Sequence, residues 1–228
     1  MKSLLPLFPL DVVLFPGTPL PLHIFEPRYK ELIGECLEEK KPFGIVRAKS
    51  EAEEGEEEEG EHQEQEEHEE QESRLADVGC TAEIIAVTKR HADGRMDIVT
   101  EGRERFEVLE LNEERTFLRA EVLFFGDDAA EASEEQVAHA VKLHSEILAI
   151  AGAKQALPEQ VRHISFHLAG SLPLDLDFKQ ALLEMRSESE RIQAVITAFE
   201  SILPKLRRTV QLRQRAGGNG HAGGGDSH

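Results

Sequence analysis

Prolines interrupt the apolar residues at the start of the chain, and this stretch constrains the fold more than any other. Five of them fall within sixteen residues: Pro6, Pro9, Pro16, Pro19 and Pro21. Because proline has no N–H to donate to a neighbouring strand, it occurs at the edges, first positions and bulges of sheets. The stretch therefore predicts short strands at the rim of a barrel and not a central strand. The unpaired backbone groups of such a rim can pair with an added, extended peptide.

After this stretch the spacing of the apolar residues becomes helical and then alternating. Pro27 stands at the first position of a helix that ends before Pro42. From residue 75 to residue 124, alternating apolar residues are separated by turn signals such as Asp93-Gly94. This pattern predicts several short strands that form a small barrel or sandwich.

Helical spacing returns in the second half of the chain. Ser133 and Gln136 have the spacing of a capping box, and the last predicted helix begins near Glu188. Pro204 is expected to kink or break that last helix, because its ring removes one backbone hydrogen bond. The order of elements is therefore β first and α second.

Residues 51–72 carry most of the excess charge of the chain. They contain fourteen glutamates and no lysine or arginine, whereas the rest of the chain has 31 acidic and 26 basic residues. A segment this charged and this poor in apolar side chains cannot bury enough surface to fold. We therefore predict a disordered acidic insertion over residues 49–73. The negative charge also argues against nucleic acid and anionic membranes as partners, because both attract clustered lysine and arginine.

These patterns predict an α+β fold in three parts. The β-barrel part covers residues 1–126 and includes the insertion, and a helical bundle follows over residues 127–215. The Gly-rich residues 216–228 form a disordered tail.

The cysteines and the hydropathy indicate the compartment. Cys36 and Cys80 lack the spacing of a metal or redox motif, and two buried thiols fit a reducing environment. The N-terminus lacks the apolar core of a signal peptide, and no stretch approaches the roughly 18 apolar residues of a membrane span. We expect a cytoplasmic protein with no membrane contact.

The opening residues, LPLFPLDVVLFPGTPLPLHIFEPRYKEL, closely resemble the start of the substrate-binding domain at the N-terminus of ATP-dependent Lon proteases. The resemblance spans roughly residues 4–206 and implies a PUA-like β-barrel followed by a helical bundle. Further similar stretches are Val78–Ile84, Asp93–Arg95, Gly102–Val108 and Asp177–Glu184 with Arg191.

The sequence lacks the motifs of the catalytic parts of Lon. The string GxxxxGK[ST], whose backbone N–H groups and lysine hold nucleotide phosphates, does not occur in it. The resemblance therefore implies a stand-alone form of the domain that binds proteins without unfolding or cleaving them. We predict that the chain is not an enzyme and that it has no catalytic residues and no cofactor.

No metal site is predicted either. His163 and His167 are four residues apart, but Ile164 stands where a zinc protease would have a glutamate, and no third ligand is evident. His62 and His68, among the carboxylates of the insertion, could collect cations only weakly.

The predicted binding surface is an apolar groove beside the exposed strand edge, with a polar rim on the first turns of the following helix. In an alternative interpretation, Phe15, Leu20 and Phe25 belong to the core of the barrel. The groove residues are Pro9, Phe15, Pro16, Leu20, Pro21, Phe25 and Tyr29, and the rim residues are Glu26, Arg28 and Glu31.

The predicted partners are unfolded or flexible segments of other proteins. Two alternatives remain open at this point. One is an adaptor that delivers clients to a separate protease, or associates with itself, with the acidic insertion as a charged contact. The other is a PUA-like barrel that binds a small ligand or RNA, although the chain lacks the basic stripe with interleaved aromatics that RNA binding needs.

Overall fold

A computed structural model of the protein describes residues 4–48, 75–129, 131–153 and 163–218. These residues form a mixed α+β structure with one six-stranded sheet and five helices. The strands are β1 (Leu5–Leu10), β2 (Pro19–Ile24), β3 (Phe43–Ala48), β4 (Leu75–Arg90), β5 (Met96–Asn112) and β6 (Arg119–Phe125). The helices are α1 (Pro27–Glu39), α2 (Glu134–Ala151), α3 (Ile164–Gly170), α4 (Leu176–Glu184) and α5 (Glu188–Gly218).

The chain divides into two compact units. The first consists of Met1–Asp127 together with Ala169–Arg186, and the second consists of Asp128–Leu168 together with Ser187–His228. Helix α4 therefore belongs to the same unit as the strands, although the sequence pattern places it in the helical part. The sequence contains no signal that the chain returns to the first unit at α4, because the apolar spacing of α4 is that of any amphipathic helix.

The strands of the first unit pair in the order β2-β5-β4-β3-β1-β6. Strand β5 also pairs with β6, so that β5, β4, β3, β1 and β6 form a closed ring of pairings. The long hairpin of β4 and β5 turns at Gly94, whose positive φ of 83° needs the freedom of glycine. The predicted Asp93-Gly94 turn is thus confirmed.

Strand β1 corrects the prediction that the opening prolines exclude a central strand. It lies between β3 and β6, yet each proline has a strand partner on one side only. Pro6 is opposite Arg119 of β6, and Pro9 is opposite Val46 of β3. The N–H of Leu7 donates to the O of Leu118, just before β6, so by alternation the nitrogen of Pro9 faces the β6 side and that of Pro6 faces the β3 side. Neither proline is paired on the side that its nitrogen faces, and the missing N–H groups therefore cost no ladder hydrogen bond.

The core of the first unit includes a cluster of strand residues on one face of β1, and helix α1 packs on the other face of that strand. Leu7, Val46, Phe106 and Ala120 are buried together on the strands. Helix α1 buries one face, and its Tyr29 contacts β1. Burial of apolar area at about 25 cal/mol per Å² is the main stabilising contribution in such a core.

Helices α2 and α5 pack against each other in the second unit. Ser133 and Gln136 make both hydrogen bonds of the predicted capping box at the start of α2. The exposed ring of His139 on α2 lies 3.1 Å from the Glu200 carboxylate on α5. Helix α5 continues through Pro204, so the predicted break does not occur there. No helix in the described part of the chain is long and apolar enough to span a membrane.

Arg191 is buried at the start of α5, and its guanidinium makes a set of polar contacts within the second unit. It pairs with Glu188 at 2.5 Å, and its Nε donates to the Ser165 hydroxyl oxygen at 3.0 Å. His163, 3.4 Å from the same guanidinium, precedes α3 with a φ of 60°. The two histidines at positions 163 and 167 therefore do not share a helix.

Two predicted segments extend beyond the described residues. The acidic insertion over residues 49–73 lies outside them. Of the predicted tail over residues 216–228, the first three residues continue helix α5, and residues 219–228 lie outside the described part.

Candidate functional site

Strand β2 forms an edge of the sheet, because β5 is its one strand neighbour among the described residues. The O of Thr18 accepts a hydrogen bond from the N–H of Gly102 at 3.0 Å. Because backbone orientation alternates along a strand, the even-numbered residues of β2 point their polar groups toward β5. Pro19, Pro21 and His23 point theirs away, and two of these three have no N–H. The free edge is therefore a poor template for an added strand.

The exposed side chains of β2 form a continuous strip with neighbours on β5. Pro21 is opposite Val99, and His23 is opposite Asp97. The ring of Phe25 lies beside that of His23, with 6.0 Å between their centroids, and is 58% exposed. We call these five residues the β2 face. It combines an exposed aromatic ring, a proline and a valine with the polar pair His23 and Asp97.

A tight turn holds the start of β2 in place. The O of Phe15 accepts hydrogen bonds from the N–H of Thr18 at 3.2 Å and from its hydroxyl at 2.7 Å. On the other side of the turn, the N–H of Gly17 donates to the O of Gly102 at 2.8 Å. A Cβ at position 102 would lie 2.2 Å from the O of Phe15, so only glycine fits there. These contacts therefore hold the strand that carries the β2 face in a fixed position.

Two histidines share the carboxylate of Asp97 at one end of the β2 face. His23 Nδ1 lies 2.5 Å from Asp97 Oδ1, and His91 Nε2 lies 3.3 Å from Asp97 Oδ2. Hydrogen bonds from His23 and then His91 hold the pKa of the Asp97 carboxyl below its usual value. Sequence reasoning did not single out this cluster. In the hairpin His91 is opposite Arg95 and Asp97 is opposite Lys89, so neither the approach of His91 to Asp97 nor the register that adds His23 has a local sequence signal.

The chain matches the family model described as the ATP-dependent protease La (LON) substrate-binding domain over residues 4–200. It belongs to the Lon substrate-binding domain family. The resemblance in its sequence is thus confirmed.

Two solved structures have the same fold as this Lon-type domain, at sequence identities that support a shared fold alone. The Lon N-terminal domain protein from Xanthomonas campestris has a TM-score of 0.62 and 23% identity, with 86% of this chain and 98% of that chain covered. The N-terminal domain of Mycobacterium avium complex Lon protease has a TM-score of 0.56 and 19% identity, with 87% and 98% covered.

Curated relatives of this Lon-type domain are Lon proteases. Lon protease 1 of Hydrogenovibrio crunogenus is 23% identical over 215 residues, which are 90% of this chain and 24% of the relative. Lon protease 2 of Myxococcus xanthus is 26% identical over 226 residues, which are 94% of this chain and 25% of the relative. The chain therefore spans about a quarter of the length of these relatives.

The ten predicted binding residues of this Lon-type domain do not form one groove. Phe15 is 1% exposed and Tyr29 is 7% exposed, so both belong to the core, whereas Phe25 does not. Leu20 is half-buried and points to the opposite side of β2 from Pro21, because side chains alternate along a strand. The half-buried members are Pro9, Pro16, Leu20 and Glu26, and the exposed members are Pro21, Phe25, Arg28 and Glu31.

The three predicted rim residues all make side-chain contacts within the chain, and Glu31 contacts a distant segment of it. Arg28 pairs with Glu26 at 2.9 Å and lies over the ring of Tyr29. Glu31 accepts a hydrogen bond from the Thr116 hydroxyl at 2.6 Å and pairs with Arg115 at 2.7 Å. Those two contacts lower the pKa of the Glu31 carboxyl. Glu31 therefore connects α1 to the loop before β6.

A pocket of about 380 Å³ lies beside the C-terminal end of α1. Lys40, Lys41 and Arg103 bring positive charge to its lining, but Lys41 pairs with Glu39 and Arg103 pairs with Glu83. The lining also contains Cys36, whose thiol pKa is raised to about 12 by burial. The Cys36 sulfur is therefore a thiol, and not a nucleophilic thiolate, at neutral pH. The lining residues are Cys36, Leu37, Lys40, Lys41, Pro42, Thr81, Glu83, Ile84, Arg103 and Glu104.

Proposed function

We propose that this chain binds unfolded or flexible segments of other proteins and does not act on them chemically. The observation that carries this proposal is the match of residues 4–200 to a substrate-binding domain. The curated relatives are Lon proteases, and this chain corresponds to about a quarter of their length. Recognition, without the ATP-driven and proteolytic steps of a whole Lon protease, is the activity that such a domain can supply alone.

We assign this binding to the β2 face and to its side chains. Of the predicted site residues, Pro21 and Phe25 are exposed on it together. An exposed aromatic ring flanked by apolar and polar groups is the kind of anchor that contributes most to protein–protein binding. Because prolines blunt the edge of β2, contacts through side chains are favoured over pairing with an added strand.

We also infer the finer architecture from the pattern of pairings. The ring of β5, β4, β3, β1 and β6 supports closure of the first unit into a PUA-like barrel. The packing of α2 against α5 supports a helical bundle in the second unit. The buried thiols of Cys36 and Cys80 support action in the reducing cytoplasm.

The test is the binding of a permanently unfolded model protein to the purified chain at physiological salt. Phe25→Ala removes the exposed ring of the β2 face, and we expect it to weaken binding several-fold. Leu123→Ala is the matched control, because Leu123 is 52% exposed on β6, a strand that does not pair with β2. Circular dichroism and thermal unfolding establish that both variants fold.

Two results would overturn the proposal at different levels. If the native chain binds the model protein no better than an unrelated acidic protein does, the proposed function is wrong. If Phe25→Ala and Leu123→Ala both bind like the native chain, the function stands and the β2 face is not its surface.

A further inference from the structure

Three potential metal ligands come from three separate segments of the first unit. His23 lies on β2, His91 lies in the turn after β4, and Asp97 lies near the start of β5. One ligand atom of each residue lies within 4.8 Å of the ligand atoms of the other two. Two imidazole nitrogens and one carboxylate oxygen form a donor set that suits Zn²⁺ and similar divalent transition metals.

We propose that His23, His91 and Asp97 form a binding site for a divalent transition-metal ion of the Zn²⁺ type. Three protein ligands leave one tetrahedral position open to water or to a donor group of a bound protein. This inference goes beyond the binding of unfolded segments, because the metal would bind in the absence of any client.

The three donor atoms lie within 4.8 Å of one another, so that moderate side-chain rotations bring them to the distances of a tetrahedral site. The two histidines contact different oxygens of Asp97. Zn–N and Zn–O bonds of about 2.0–2.1 Å place neighbouring ligand atoms about 3.3 Å apart. His91 Nε2 and Asp97 Oδ2 are 3.3 Å apart. His23 Nδ1 and Asp97 Oδ1, at 2.5 Å, would have to separate by somewhat under 1 Å. The His23 side chain can rotate that far, since 48% of it is exposed.

The backbone around the three ligands is well fixed. The strand register places His23 directly opposite Asp97. The N–H of His91 donates to the O of Arg95 at 2.8 Å and closes the turn. Lys30 of α1 donates to the O of Asp93 at 3.2 Å and holds the turn against the helix. A ligand set held in this way loses little entropy when a metal binds.

Three basic side chains surround the ligands: Arg95 in the turn, Lys30 on α1 and Lys89, which is opposite Asp97 in the strand register. The guanidinium of Arg95 is paired with Asp93 at 2.7 Å. Asp97 supplies one negative charge directly at the site. The competing explanation is that the two histidines merely hydrogen-bond to Asp97, and this explanation predicts no metal uptake.

The experiment uses the full chain and the metals themselves. Zn²⁺ binding is followed by calorimetry and Co²⁺ binding by visible absorption, both in a large excess of Mg²⁺. Mg²⁺ occupies sites made of oxygen alone, such as the glutamates of residues 51–72, because it prefers hard ligands. We expect one equivalent of Co²⁺ with the absorption of a site that has nitrogen ligands.

Matched variants locate the site. His23→Gln, His91→Gln and Asp97→Asn should each weaken binding more than tenfold, since even outer-shell changes cost about 10–100-fold. His139→Gln is the control, because His139 is an exposed histidine that also faces a carboxylate, 3.1 Å from Glu200. It should bind Co²⁺ like the native chain.

The proposal fails if the native chain takes up no Co²⁺ in the presence of Mg²⁺. It also fails if the double variant His23→Gln/His91→Gln binds with native affinity. Paramagnetic broadening of histidine ring signals in the native chain gives a readout that does not depend on variants. Broadening confined to histidines other than His23 and His91 would overturn the assignment.

Discussion

The ring of Tyr29 lies flat on the ring of Phe8, with 3.9 Å between the centroids and 11° between the planes. This contact joins helix α1 to strand β1. It buries Tyr29, and the loss of solvent raises the pKa of its hydroxyl. Tyr29 is thus a core residue that fixes α1 on the sheet. It is not available to a bound protein.

The first prediction concerns this contact. Tyr29→Ala should lower the free energy of unfolding by about 3–5 kcal/mol, the usual cost of removing a buried aromatic ring. Tyr29→Phe keeps the stacked ring and should stay within about 1.5 kcal/mol of the native value. Urea unfolding measures both. A loss under 1 kcal/mol for Tyr29→Ala would contradict a core role.

Tyr29 also shows how much of the fold the sequence predicts. Its helical spacing with Leu32, Ile33 and Cys36 predicts both α1 and the buried face of that helix, and the structure confirms them. The same spacing does not distinguish a residue that packs on a sheet from one that lines a groove. That distinction depends on the ring of Phe8, which is twenty-one positions away in the chain.

The candidate site could be predicted only in part for the same reason. Pro21 and Phe25 are recognisable as unusual residues beside an edge strand. The pairing of His23 with Asp97 depends on the register of β2 on β5, across seventy-four residues. Register is determined by packing and turn geometry, which a local sequence pattern does not contain.

The second prediction tests the support of β2. A Cβ at position 102 would approach the backbone O of Phe15 to 2.2 Å, a contact that no side-chain rotation relieves. Gly102→Ala should therefore lower the melting temperature strongly, and weaken any binding at the β2 face. Gly34→Ala in α1 is the control, because its Cβ has nothing within 4 Å. It should be neutral or stabilise the protein by up to about 1 kcal/mol. Equal melting temperatures of the Gly102→Ala and Gly34→Ala variants would contradict the close approach of position 102 to the backbone O of Phe15.

The third prediction compares two arginines of β5. Arg105 is buried, donates to the backbone O of Leu183 at 2.9 Å and of Met185 at 2.5 Å, and pairs with Asp127. Arg105→Met should cost about 3–5 kcal/mol, because it removes the donors that these groups use.

Arg103 provides the matched control for this substitution, two positions away on the same strand. Its side chain is 42% exposed and pairs with the surface carboxylates of Glu83 and Glu101. Arg103→Met should cost about 1 kcal/mol or less, as is usual for surface ion pairs. Chemical denaturation of both variants gives the comparison, and similar costs would show that burial does not decide the role of Arg105.

The fourth prediction is a pH dependence. Burial raises the pKa of the Cys36 and Cys80 thiols from 9.0 to about 12. Above pH 9 the unfolded chain therefore releases protons that the folded chain keeps, and stability falls as pH rises toward 12. Each thiol contributes a slope of about 1.4 kcal/mol per pH unit. Urea unfolding between pH 8 and 10.5 should show a shallower fall for Cys36→Ala/Cys80→Ala than for the native chain, and identical slopes would refute this linkage.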